Sequence, residues 1–206
     1  MAGGQSGAAE LLERIESRLY AAWMLHAIIA FSYWIPVAQG FEALISTSWY
    51  RGLTDAGQTA VSAAYWLVLG VAGFYAGLRY WRRYLQRLRY MAPRCSRLPT
   101  VSWPLGAAAG YLAASAATSG SLAVAVWLLT FVAVGTAGVA LAEYEAFRRL
   151  PASLPAVAAS IGGLLFLPLV PPEPYHAAVY ALSVTTLGYG LAVLSYAARA
   201  LSMGSG

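Results

Sequence analysis

Long apolar stretches separated by short polar segments run through this chain of 206 residues and limit what it can fold into. Each stretch has about the 20 residues that a helix needs to cross the hydrocarbon core of a bilayer. Because 60% of the residues are hydrophobic and only 10% are charged, a water-soluble fold would leave much of the apolar surface uncovered. The six stretches lie at residues 19–39, 59–78, 101–118, 122–141, 154–170 and 176–198.

These stretches predict an all-α polytopic membrane protein. Backbone groups inside a bilayer must find hydrogen-bond partners within the protein, and none of the stretches alternates polar and apolar residues as a barrel strand does. We therefore predict six transmembrane helices arranged as three hairpins. The predicted membrane domain, residues 19–200, follows an N-terminal segment at 1–18 and precedes a tail at 201–206.

The positions of the arginines predict the orientation of the chain. Seven of the thirteen basic residues lie between Arg79 and Arg97. In a chain that crosses six times, these arginines share one side with both termini, and Arg51 alone lies on the other side. By the positive-inside rule, both termini are predicted to be cytoplasmic, in a multi-pass protein of the cell membrane.

The basic segment also has a helical period. At about 100° per residue, most aromatic and apolar side chains of residues 79–92 fall on one arc and the arginines on the other. This pattern predicts an amphipathic helix along the cytoplasmic membrane surface. Anionic lipid is the favoured ligand, at about 1 kcal/mol per basic residue; an acidic protein and a nucleic acid strand are the alternatives. The predicted binding residues are Arg79, Arg82, Arg83, Arg87 and Arg89.

The first predicted span carries the strongest candidate for a polar path. His26 lies inside this span, and ionisable groups within a membrane often mark functional sites. Together with Tyr33 and Gln39, it could supply the polar groups of a water-filled path, and residues 26, 33 and 37 share one side of the helix. On this interpretation Phe31 faces lipid. The alternative is a neutral imidazole with a hydrogen-bond partner inside the bundle.

Small residues predict where helices approach closely, because lipid does not drive helices together as water does. The glycine pairs predicted to lie at helix contacts are Gly73 with Gly77 in the second span and Gly106 with Gly110 in the third. Packing within the chain is the main interpretation, and homo-oligomerisation is the alternative.

Two carboxylates end the fourth predicted span. Glu143 and Glu145 are expected to be solvated there, and their alternative role is to hold the arginine-rich loop.

The sequence predicts neither an enzyme nor a cofactor. It lacks the spacing motifs of nucleotide-binding loops, zinc proteases and serine hydrolases. A single cysteine, Cys95, excludes an intrachain disulfide. His26 and His176 lie at different predicted depths, which disfavours haem ligation, and no metal site is predicted.

The leading functional interpretation is a permease or pore-forming component of a membrane transport system that works with partner subunits. A basic vestibule would suit an anionic cargo, for example DNA imported with a separate motor ATPase. A weak similarity between residues 66–78 and 127–139 suggests a parallel duplication, which some transporters have. The alternative is a non-transporting assembly or anchoring subunit of a larger complex, which better explains why spans two to six carry no charged group at mid-depth.

Overall fold

A computed structural model describes residues 3–87, 97–116 and 120–204 of the protein. All regular secondary structure in these residues is helical, which confirms the predicted all-α class. The α-helices are α1 (Gly3–Ser46), α2 (Ser48–Arg51), α3 (Asp55–Arg87), α4 (Arg97–Ala116), α5 (Ala123–Phe147), α6 (Leu154–Phe166) and α7 (Pro174–Gly204). Short 3₁₀ turns lie at Gly120–Leu122 and Leu167–Leu169.

Within the described residues, four helices are long and apolar enough to cross a membrane. They are formed by Glu10–Ser46, Asp55–Gly77, Ala123–Phe147 and Pro174–Ser202. This result agrees with the prediction of a membrane protein. With 44 residues, α1 is about 66 Å long, so its N-terminal part reaches well beyond a hydrocarbon core of about 30 Å.

The other two predicted spans form helices of a different kind. The 20 residues of α4 are long enough to cross, but their most apolar stretch is less apolar than those of the four helices above, and they include Pro104. With 13 residues, α6 is too short to cross alone, and it passes into a 3₁₀ turn that contains Pro168. A proline has no N–H and its ring collides with the carbonyl four residues earlier, so the helix ends there. Residues 154–170 are therefore not one continuous helix of bilayer length.

Neighbouring long helices run antiparallel. Tyr20, in the first half of α1, contacts Arg199 near the end of α7, and Ser46 at the C-terminal end of α1 bonds Tyr175 near the start of α7. The starts of α1, α4 and α6 and the ends of α3, α5 and α7 therefore meet at one end of the molecule. We call it the basic end, because every arginine in the described residues except Arg51 belongs to it.

The core of the bundle lies between α1, α5, α6 and α7. Phe31 of α1 packs against two rings of α7, with ring centres 5.2 Å from Tyr189 and 5.9 Å from Tyr196. Only 5% of Phe31 is exposed, so the prediction that it faces lipid was wrong. Phe31 lies seven residues after buried Met24 and thus on the side of α1 that meets α7.

In contrast, α3 packs mainly on α1. None of the α3 residues whose exposure is described is buried. Two reciprocal hydrogen bonds join the helices: the Tyr33 hydroxyl donates to the Leu69 carbonyl at 2.8 Å, and the Tyr65 hydroxyl donates to the Val37 carbonyl at 2.7 Å. A phenol in an apolar environment needs such a partner, and a helical carbonyl has a second lone pair to offer.

Candidate functional site

The turn from α5 to α6 shapes the basic end. Helix α5 stops at Phe147 because Arg148 adopts a left-handed conformation with φ of 52°, and its N–H bonds the Tyr144 carbonyl at 2.8 Å. The chain then reverses and enters α6, with Pro155 in the first turn. This reversal places Arg149 beside Tyr20 of α1 and Leu150 beside Arg199 near the end of α7.

A buried carboxylate holds this turn. Glu143 is only 2% exposed, and its Oε2 accepts hydrogen bonds from the Ser153 hydroxyl at 2.6 Å and the Ser153 N–H at 3.2 Å. Ser153 directly precedes α6, where helical N–H groups lack partners and favour a negative charge. The expectation that Glu143 is solvated was therefore wrong, and the alternative contact with the arginine-rich loop falls largely outside the described residues. Glu145, in contrast, is exposed.

Beside this turn lies an open pocket of about 240 Å³, which we call the arginine pocket. Its lining residues are Tyr20, Arg149, Leu150, Arg199 and Ser202. The Arg149 guanidinium lies 5.0 Å from the centre of the Tyr20 ring, a cation–π arrangement. Arg199 Nη1 donates to the Leu150 carbonyl and, at 3.4 Å, to the Tyr20 hydroxyl.

The arginine pocket has two positive charges that form no salt bridge within the described residues. Within the described residues, the only ion pairs are Arg14 with Glu10 and His176 with Glu173, so neither pocket arginine has a carboxylate partner. The Tyr20 ring that supports Arg149 is itself held by Phe147, with ring centres 4.7 Å apart. Sequence reasoning missed this pocket because Tyr20 is far along the chain from both arginines.

The arginine stripe predicted at residues 79–92 begins in the same region. Helix α3 continues without interruption through Arg79, Arg82, Arg83 and Arg87, and it ends at the basic end. Arg79 is exposed. Arg89, with the rest of 88–92, lies outside the described residues, so the amphipathic helix stays a prediction.

The candidate polar residues of the first span differ in their contacts and exposure. Tyr33 places its ring at Gly73 and its hydroxyl on the Leu69 carbonyl, so it attaches α3 to α1. Gln39 is exposed, and His26 is half-buried.

The predicted packing glycines have different surroundings. A methyl group added at Gly106 would lie 2.7 Å from the Phe131 carbonyl oxygen, and one at Gly110 would lie 2.7 Å from that of Trp127, so the backbones of α4 and α5 nearly touch. Any side chain at Gly73 would collide with the Tyr33 ring. A methyl group at Gly77 would meet nothing within 4 Å, and the same holds for Gly70, one heptad earlier on α3.

Three buried hydroxyls in the core are satisfied within their own helices. Thr136, Ser160 and Thr185 each donate to the carbonyl four residues earlier in their own helix, at 2.6, 2.9 and 2.8 Å. They form no hydrogen-bonded chain from one helix to the next. In the part of the chain that the structure describes, no three His, Cys, Asp or Glu side chains are grouped as metal ligands.

No known protein family, curated protein or solved structure matches this chain. The functional interpretation therefore depends on the geometry of α3 and of the basic end.

Proposed function

We propose that this protein is a non-transporting assembly or anchoring subunit of a larger membrane complex. The observation that carries this proposal is the position of α3, which packs mainly on α1 and has no buried residue among those whose exposure is described. A bilayer-length helix held by one neighbour leaves most of its surface for contacts with another protein.

The open face of α3 suits a transmembrane helix of another subunit. Gly70 and Gly77 lie seven residues apart, on one side of the helix, with free space above both. In a membrane, association depends on close packing, and small residues let two backbones approach. Leu67, three residues before Gly70 and therefore next to this side of the helix, is 67% exposed. A second copy of this chain is the other candidate for this face.

The arginines that continue α3 give the proposed subunit a cytoplasmic binding surface. Arg79, Arg82, Arg83, Arg87 and Arg89 lie directly after the open face in sequence. We propose that they bind anionic lipid or an acidic partner protein, with a nucleic acid strand as the alternative ligand. A helix fixed to a partner in the membrane would hold this surface next to that partner.

A permease or pore-forming component, with an anionic cargo such as imported DNA, is the competing proposal. It needs a polar path through the membrane. Tyr33, a residue proposed for that path, holds α3 instead, and Val37 on the same side of α1 is buried under the contact from Tyr65. The proposed duplication would relate α3 to α5, yet α5 is largely buried and α3 is not. These contacts favour the assembly role.

The proposal is tested with a photo-crosslinking amino acid at position 67, in protein expressed in its native membrane. We expect one adduct of defined mass with another integral membrane protein, and this adduct should be lost in a Gly77→Leu variant. A Cβ added at position 77 meets nothing within 4 Å among the described residues, so the variant should keep its thermal stability. The matched control is Ala72→Leu, an exposed residue about 140° around the helix from Gly77, and it should keep the adduct.

An absence of adducts at position 67 would contradict the assembly role. An adduct that persists in Gly77→Leu would show that the partner does not use this face. Adducts between two copies of this chain would indicate homo-oligomerisation.

A further inference from the structure

We propose that the arginine pocket binds the phosphate group of an anionic lipid headgroup. This inference is independent of the assembly role, because the pocket lies between α1, α7 and the turn after α5, and α3 contributes none of its lining residues.

The charge and geometry of the pocket match a phosphate. Arg149 and Arg199 bring two guanidinium groups to one space, and neither has a carboxylate partner among the described residues. Nη1 of Arg199 is used by the Leu150 carbonyl and the Tyr20 hydroxyl, which leaves the donors on its Nη2 and Nε for a ligand. Guanidinium groups bind phosphate through pairs of parallel hydrogen bonds, so both arginines offer the appropriate donor pattern.

The supporting residues hold these donors in place before any ligand arrives. Arg149 rests on the Tyr20 ring, which also packs against the Phe147 ring. Arg199 is held by its bond to the Leu150 carbonyl. Donors that are already positioned lose less conformational entropy on binding.

The position of the pocket favours a lipid over free phosphate. The pocket lies at the end of the bundle that carries nearly all arginines, where a spanning chain meets the headgroups of the cytoplasmic leaflet. Leu150 in the pocket wall is 70% exposed, and Leu201 next to Ser202 is 76% exposed. These side chains offer an apolar surface to the start of an acyl chain. A volume of about 240 Å³ has room for a phosphate group with several waters, since each water takes about 30 Å³ in the liquid.

The experiment uses the full chain in detergent and counts bound lipid by native mass spectrometry during titration with short-chain phosphatidylglycerol. We expect one tight site that zwitterionic phosphatidylcholine does not fill. Arg149→Gln and Arg199→Gln should each weaken this site roughly tenfold, the effect of losing one charge-assisted contact. The control is Arg148→Gln, which removes the same charge one residue away, where the side chain lies over the Tyr144 ring outside the pocket.

The outcomes separate the pocket from general attraction to positive charge. A change below about twofold in Arg148→Gln, with the expected loss in Arg149→Gln, supports the proposal. Equal losses in both variants, or no loss in Arg149→Gln, would overturn it. If Arg199→Gln loses its thermal unfolding transition, the test relies on Arg149→Gln. The Arg149 side chain is exposed and makes no hydrogen bond to the described residues, so this variant should stay folded. Displacement of the lipid by millimolar inorganic phosphate would assign the pocket to free phosphate instead.

Discussion

Glu143 illustrates how single residues at the basic end connect elements rather than face water. Its carboxylate accepts two hydrogen bonds from Ser153, and the Tyr196 hydroxyl lies buried close to the same carboxylate. A buried charge is costly without such donors. This residue therefore stabilises the α5–α6 turn, and through the turn it positions Arg149 for the arginine pocket.

The hydrogen bonds from Ser153 to Glu143 should stabilise the fold. Ser153→Ala removes the 2.6 Å hydrogen bond and leaves one backbone donor on a buried carboxylate, so it should lower the free energy of unfolding by about 1 to 3 kcal/mol. Thermal unfolding of the detergent-solubilised protein measures the change. Ser115→Ala is the control, because Ser115 is exposed and its hydroxyl bonds only the Tyr111 carbonyl of its own helix. Similar losses in the two variants would argue against a role for Glu143 in holding the turn.

Helices in this molecule associate in two different ways. The contact between α4 and α5 depends on glycines, since Gly106 and Gly110 admit the backbone of α5 while Gly135 and Gly138 admit Trp103 and Ser102 of α4. The contact between α1 and α3 depends on two tyrosine hydroxyls and leaves α3 largely exposed. The first arrangement joins two helices closely over several turns, whereas the second leaves a helix available to a partner.

We expect a large side chain in place of a glycine at the α4–α5 contact to push the two helices apart. Gly110→Leu places a side chain against the Trp127 carbonyl, a backbone atom that cannot rotate away, and we expect a loss of about 2 kcal/mol or more. The control is Gly162→Leu in α6, where an added Cβ meets nothing within 4 Å. Stability to heat or denaturant measures both variants. A larger loss of stability in Gly162→Leu than in Gly110→Leu would show that the nearby backbone of α5 is not what excludes a side chain at position 110.

The whole molecule is polarised along its long axis. Antiparallel packing of α1 with α7 and of α4 with α5 brings nearly all described arginines to one end, while Arg51 lies at the other end near Tyr175. This separation supports the proposal that the basic end, with both termini, is cytoplasmic. Six crossings in three hairpins stay a prediction, which requires α4 and the short α6 with its 3₁₀ turn to cross the membrane as well.

We expect thiol labelling to distinguish the two ends of the molecule. In a Cys95→Ser background, single cysteines at Ser48 and Glu145, both exposed, should react with a membrane-impermeant thiol reagent from opposite sides. In intact cells Ser48→Cys should label and Glu145→Cys should label only after the membrane is opened, as the positive-inside rule requires. Labelling of both positions from the same side would contradict the proposed topology.

Much of this architecture follows from local properties of the sequence. Hydropathy over about 20 residues predicts helices α1, α3, α5 and α7, because a backbone in lipid must bond within its own segment. The arginine positions predict the polarity, because that signal depends on the order of loops along the chain. Because proline lacks the N–H that a helix needs, Pro36 and Pro168 were candidate helix breaks; α6 ends before Pro168, whereas α1 continues through Pro36.

Only the tertiary structure decided which helix faces meet. It showed that Phe31 faces α7, that Glu143 bonds Ser153, and that Tyr20 shares a pocket with Arg149 and Arg199. In a soluble protein, polar residues mark the outer face of a helix, but in lipid the core and the surroundings are both apolar, so the period of the sequence does not tell one face from the other. The contacts that form the candidate sites join residues far apart in the chain, and their proximity depends on how the helices pack.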